Sequence, residues 1–145
     1  MPYTYEYPRP CVTVDIILFR NGGNGPAILL IERGNPPFEG IWAFPGGFIN
    51  IDEDLETAAR RELYEETGLK VLTMSQFRTY GSINRDPRHR TITVVYVAEI
   101  DDKQTHEPTA GDDACNAAWF RLEALPPLAF DHRGILEEFI REKAL

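Results

Sequence analysis

A chain of 145 residues is enough for one domain and too short for two of ordinary size. Its 43% hydrophobic and 26% charged residues give the balance of a folded protein, not a disordered one. Lys and Arg number 15 against 23 Asp and Glu, and the net charge of −8 argues against nucleic-acid or anionic-membrane binding, which rests on a basic surface.

Cys11 and Cys115 lie far apart without metal-type spacing, as expected of a reducing compartment. Met1 to Pro10 lacks the charged-then-apolar pattern of a signal peptide, and no apolar run approaches the ~20 residues of a membrane span. A single cytoplasmic domain over residues 1–145 is therefore expected.

In chain order, Cys11 to Arg20 is Val- and Ile-rich and reads as a strand buried on both faces at its centre. Asn21 to Pro26 is turn chemistry, and Ala27 to Glu32 is the returning strand of a hairpin. Gly34 to Gly40 is a proline-stiffened loop, and Pro45-Gly46-Gly47 breaks the segment that follows. Asp54 to Thr67 is the clearest helix, with acids at its start and Gly68 as its stop signal. Lys70 to Ser82 and Arg90 to Ile100 alternate apolar and polar residues and read as strands joined by Ile83 to His89. Asp101 to Asn116 is an acidic loop, Ala117 to Leu122 a short strand, and Gly134 to Lys143 an amphipathic helix. Irregular alternation, with hairpins rather than crossovers, predicts an α+β fold: a mixed sheet with helices packed on it.

The charge is unevenly placed. Gly47 to Leu69 carries seven acids and two bases, whereas Gln76 to Ala98 is net basic through Arg78, Arg85, Arg88 and Arg90. On a helix with ~100° per residue, Glu62 and Glu66 continue the apolar stripe of Leu55, Ala58, Ala59 and Leu63. Bare carboxylates in a poorly hydrated place cost several kcal/mol each, and Glu65 beside them adds repulsion. Arg61 is placed to neutralise one of them. Either the last turns emerge from the core and leave the glutamates wet, or hard divalent cations bind them; partly hydrated Mg²⁺ suits so open a set.

The run Gly47–x5–Glu53–x7–Arg61-Glu62-Leu63-x-Glu65-Glu66-x-Gly68-Leu69 matches the Nudix box at every defined position, and the chain resembles a Nudix hydrolase. The resemblance covers essentially the whole chain and implies an α/β/α sandwich. It implies hydrolysis of a nucleoside diphosphate linked to another group, with Mg²⁺, or Mn²⁺ in its place, held by Glu62, Glu65, Glu66 and a backbone carbonyl near Gly46. Arg61 would orient the glutamates, and Glu53 would hold the turn around Gly46 and Gly47. Ile51 stands where a small residue is frequent, which would reshape that turn without touching the ligands.

The segments around Arg33 to Phe38, Asn84 to Arg90, Gly111 to Ala114 and Leu128 to His132 resemble the ADP-ribose pyrophosphatase branch. They make Arg33, Phe38, Arg85 and Arg88 the candidate substrate contacts. The general base is open between the loop acids Asp112 and Asp113 and the box glutamates. Bland readings stand beside these. The Asp86-Pro87-Arg88 segment is as good a plain β-turn, Asp131 and His132 read as caps of the last helix, and Trp42 and Tyr80 read as core. A small nucleotide is the expected partner, and the resemblance also implies a homodimer in which Tyr3, Tyr5 and Tyr7 are a plausible contact. The alternatives are a non-catalytic ADP-ribose sensor, or an enzyme acting on a nucleoside triphosphate.

Overall fold

A computed structural model describes residues 2–101, 107–111 and 113–145. Among the described residues, seven strands and two α-helices follow in the order β1 (Cys11–Gly22), β2 (Gly25–Arg33), β3 (Trp42–Ala43), β4 (Gly46–Phe48), α1 (Leu55–Thr67), β5 (Ser75–Tyr80), β6 (Thr91–Ile100), β7 (Ala114–Arg121) and α2 (His132–Lys143). A 3-10 turn at Leu122–Ala124 links β7 towards α2.

The centre of the sheet is β1. It pairs antiparallel with β2 and β4 and parallel with β6, while β5 lies beyond β6. Both β3 and β7 pair antiparallel with β2. The parallel ladder runs from Cys11 opposite Thr91 to Arg20 opposite Ile100, with α1 in the connection. This corrects the expectation of hairpins without crossovers. Near-continuous burial of β1 and β6 is the mark of strands covered on both faces.

Successive side chains of β1 serve opposite layers, as the period of a strand requires. Val14, Ile16 and Leu18 pack with Ala58, Ala59 and Leu63 of α1. Ile17 and Phe19 pack with Ile135, Leu136 and Phe139 of α2 on the other face. The mixed sheet is thus a filling between two helices, the α/β/α arrangement. Each fully buried Leu or Ile contributes about 1.5–3 kcal/mol, so Ile135 and Leu136 of α2 together reach the lower end of the ~5–15 kcal/mol net stability of a domain.

Boundaries differ from the sequence reading where side chains compete with the sheet. β5 is shorter than Lys70 to Ser82, because Arg60 donates to the carbonyls of Val71 at 2.6 Å and Leu72 at 3.2 Å and ties that stretch to α1. β7 begins three residues before Ala117, and α2 two residues before Gly134. The close of α1 follows its signal: Gly68 is left-handed at φ 74° and its N–H donates to Tyr64 O at 2.8 Å. Among the described residues, no helix is long and apolar enough to cross a membrane. Cys11 and Cys115 are free thiols.

Candidate active site

Arg61 organises the turn into α1. Its Nε and Nη2 donate to Glu53 at 2.7 and 2.8 Å, Nη1 to Glu62 at 2.8 Å and Glu65 at 3.1 Å, and Nη2 also to Phe48 O at 3.1 Å. One cation therefore relieves three carboxylates, where the sequence reading credits it with one. Glu53 also accepts from Asn50 N–H at 2.9 Å, which closes the loop below it, while Ile51 points out at 82% exposure.

The Arg61 hydrogen bonds, set against partial burial, lower the Glu53 pKa to about 2. An unfolded Glu titrates near ~4.3, so Glu53 stabilises the fold fully above that pH and ceases to as pH falls through its folded value. Glu53→Gln is accordingly expected to be less stable than wild type at pH 7, with the gap shrinking from about pH 4.3 towards pH 2. Urea midpoints measured across that range check it; a constant gap would contradict the assignment.

Glu62 and Glu66 are buried at 8% and 6% exposure, whereas Glu65 is exposed. The wet-helix alternative is thus overturned for the first two and holds for the third. Glu66 Oε1 accepts Gly46 N–H at 2.7 Å. A Cβ on Gly47 would lie 2.7 Å from the Glu62 carboxylate, so the box needs glycine there for close approach. This cradle and its hard oxygen donors fit a divalent cation. Among the described residues, no three His, Cys, Asp or Glu side chains form a ready-made cation cage.

These acids form one wall of a cavity of about 340 Å³. Arg61, Gly46, Arg33, Arg85, Arg88 and Asp113 also line it, and Phe38 does not. Arg33 donates to Pro37 O at 2.7 Å, and its guanidinium stands 5.0 Å from the Phe130 ring centre. Arg88 is 5.6 Å from the same ring and 5.2 Å from Phe48, and Asp86 grips it at 3.1 and 2.8 Å. Burial, with the like charge of Arg88 added, lowers the Arg33 pKa, a strain that an anionic ligand would relieve.

The other candidates occupy different stations. Arg85 is committed to Asp131, with bonds of 2.9 and 2.7 Å and a side chain only 4% exposed. Phe38 is half-exposed and packs edge-on against Phe130 at 4.9 Å. Asp113 reaches the cavity because its carbonyl accepts Gly34 N–H at 3.0 Å; Asp112 lies outside the described residues. Trp42 packs on Phe120 at 4.8 Å and Tyr80 donates to Glu138 at 2.7 Å, as packing residues do.

Asp15, Asp86, Phe130 and His132 are among the lining residues that the sequence does not mark as site residues. Asp15 carries a signal, being the lone acid in a Val/Ile-rich central strand, and it is 7% exposed. Burial opposes its charge, but the facing His132 and the Thr93 hydroxyl, 2.6 Å from Oδ2, outweigh that and lower its pKa. Asp131 occupies the N-cap position of α2, as expected, but makes no side-chain cap bond, while His132 is the first helical residue and is buried at 3%. Phe130 adopts φ 54°, unusual for a bulky residue and concentrated at functional sites.

The chain matches the NUDIX domain model over residues 9–140. The chain belongs to the NUDIX family, and its class is that of the Nudix pyrophosphohydrolases. It is 42% identical over 137 residues to an ADP-ribose pyrophosphatase of Methanocaldococcus jannaschii, covering 94% of this chain and 77% of that protein. It is 37% identical to the ADPR responsive transcriptional repressor NtrR of Acinetobacter baylyi, covering 92% of this chain and 54% of the repressor. The solved NUDIX domain of Shewanella oneidensis NrtR complexed with ADP ribose matches with a TM-score of 0.84 at 32% identity, covering 96% of this chain and 91% of that one. The chain thus spans about half the length of the repressor it resembles.

Proposed function

We propose that this chain hydrolyses the diphosphate bond of ADP-ribose, giving AMP and ribose 5-phosphate. The observation that carries the reading is one cavity with two facing chemistries: the acids of α1, and the Arg33–Phe130–Arg88 wall. The 42% identity to an ADP-ribose pyrophosphatase supports the substrate.

Mg²⁺, or Mn²⁺ in its place, would be held by Glu62, Glu65 and Glu66 with the Gly46 carbonyl; when bound it neutralises phosphate oxygens and lowers the pKa of a water. Arg61 holds Glu62 and Glu65 in place, and Gly46 N–H does the same for Glu66. Arg33 and Arg88 orient the diphosphate by charge-assisted hydrogen bonds. Asp113 and the box glutamates are the candidates for taking a proton from the attacking water, and Asp113→Asn against Glu65→Gln separates them by pH–rate profile. Arg85 would act on substrate through Asp131 and the start of α2, and Phe38 through Phe130.

The test is purified protein with Mg²⁺ against ADP-ribose, NADH, sugar nucleotides and nucleoside triphosphates, scored for AMP or pyrophosphate. Preferred release of AMP from ADP-ribose is expected, and preferred turnover of a triphosphate would replace this reading. A second reading is an ADP-ribose sensor, which the resemblance to the NtrR repressor and to the ADP-ribose-bound NrtR domain favours. Tight ADP-ribose binding without turnover would select it. A homodimer joined through the exposed Tyr3, Tyr5 and Tyr7 arm goes with either reading, and light scattering at the monomer mass would remove it.

A further inference from the structure

Below the acids and arginines, the cavity has a floor that neither the box nor the arginine wall accounts for. Asp15 and His132 both line it, at 7% and 3% exposure. Phe44 N–H donates to His132 Nδ1 at 3.1 Å, and the Phe44 ring stacks on the imidazole at 4.5 Å. A nitrogen that accepts this bond carries no hydrogen, so the hydrogen the ring can donate sits on Nε2. That Nε2 lies 3.7 Å from Asp15 Oδ2, beyond a good hydrogen bond, while Oδ2 already accepts from Thr93. A buried donor and a buried carboxylate therefore line one cavity side by side, their polar atoms 3.7 Å apart.

We propose that Asp15 and His132 form a subsite for a ribose hydroxyl of the bound nucleotide, with His132 Nε2–H donating to the hydroxyl oxygen and Asp15 accepting its hydrogen. This rests on the nucleotide reading above. A hydroxyl is the group that both accepts and donates at one atom. A phosphate would meet the charge of Asp15 and belongs instead with Arg33 and Arg88. An apolar group would offer no acceptor to the buried Nε2–H.

The two riboses of ADP-ribose are separated by two analogues: the methyl ester of ADP, which lacks the terminal ribose, and ADP-ribose with a 2′,3′-dideoxyadenosine. His132→Asn keeps an oxygen where Nδ1 accepts Phe44 N–H but brings no donor to the place of Nε2. In wild type, one analogue is expected to show a KM on the order of tenfold above that of ADP-ribose. His132→Asn and Asp15→Asn should raise the ADP-ribose KM to that analogue's level and erase the discrimination, with kcat changing far less. Wild-type indifference to both analogues overturns the subsite, as does an equal rise in all three KM values, the result of a merely structural role. If nothing is hydrolysed, the catalytic reading falls, and the same ligands still test the subsite through Kd by calorimetry. Failure of all three to bind would overturn both.

Discussion

Glu66→Gln is expected to lower kcat by about two to three orders of magnitude, the scale of losing one preorganised charge at a reacting centre. The fold should survive the change. Glutamine matches glutamate in size and keeps an oxygen to accept Gly46 N–H, now bonded at 2.7 Å. The negative charge is what disappears from a side chain only 6% exposed. A midpoint of denaturation close to wild type, together with collapsed turnover across a Mg²⁺ titration, is the expected pair of results. Turnover within a factor of about three of wild type would remove Glu66 from the proposed chemistry, since catalytic losses of that size are not resolved from indirect effects.

The second large effect concerns stability. Asp131→Asn takes from Arg85, whose side chain is 4% exposed, the carboxylate charge it is bonded to. Removing one partner of a buried pair costs about 3–5 kcal/mol, and the 32% exposure of Asp131 argues for the lower end. Arg85→Met removes the buried cation instead and leaves a carboxylate that water reaches. It should therefore cost less than Asp131→Asn, and the double variant should recover part of the loss. Urea unfolding with an unchanged slope measures all three. The reverse order of the two single variants would mean that the burial of the guanidinium does not govern this pair.

What was legible in the sequence follows from how local each signal is. Helix α1 declares itself through its stripe and Gly68, and the same period places Glu62 and Glu66 among buried residues. The strands β1 and β6 read as strands, but their parallel partnership joins residues 80 apart, such as Thr13 and Thr93, and no window along the chain contains both. Arg85 stands in a turn that attracts a substrate reading, while its partner Asp131 lies 46 residues away. His132 opens α2, and only the folded chain brings it to Asp15. The box is legible because its ligands share one helix; the opposite wall is assembled from β2, the β5–β6 loop and the start of α2.

The alternation along β1 has a mechanical corollary. Its even positions anchor the helix that bears the glutamates, and its odd positions anchor the helix that begins with His132. The sheet is a partition, and the two sides of the cleft are hung from opposite faces of it.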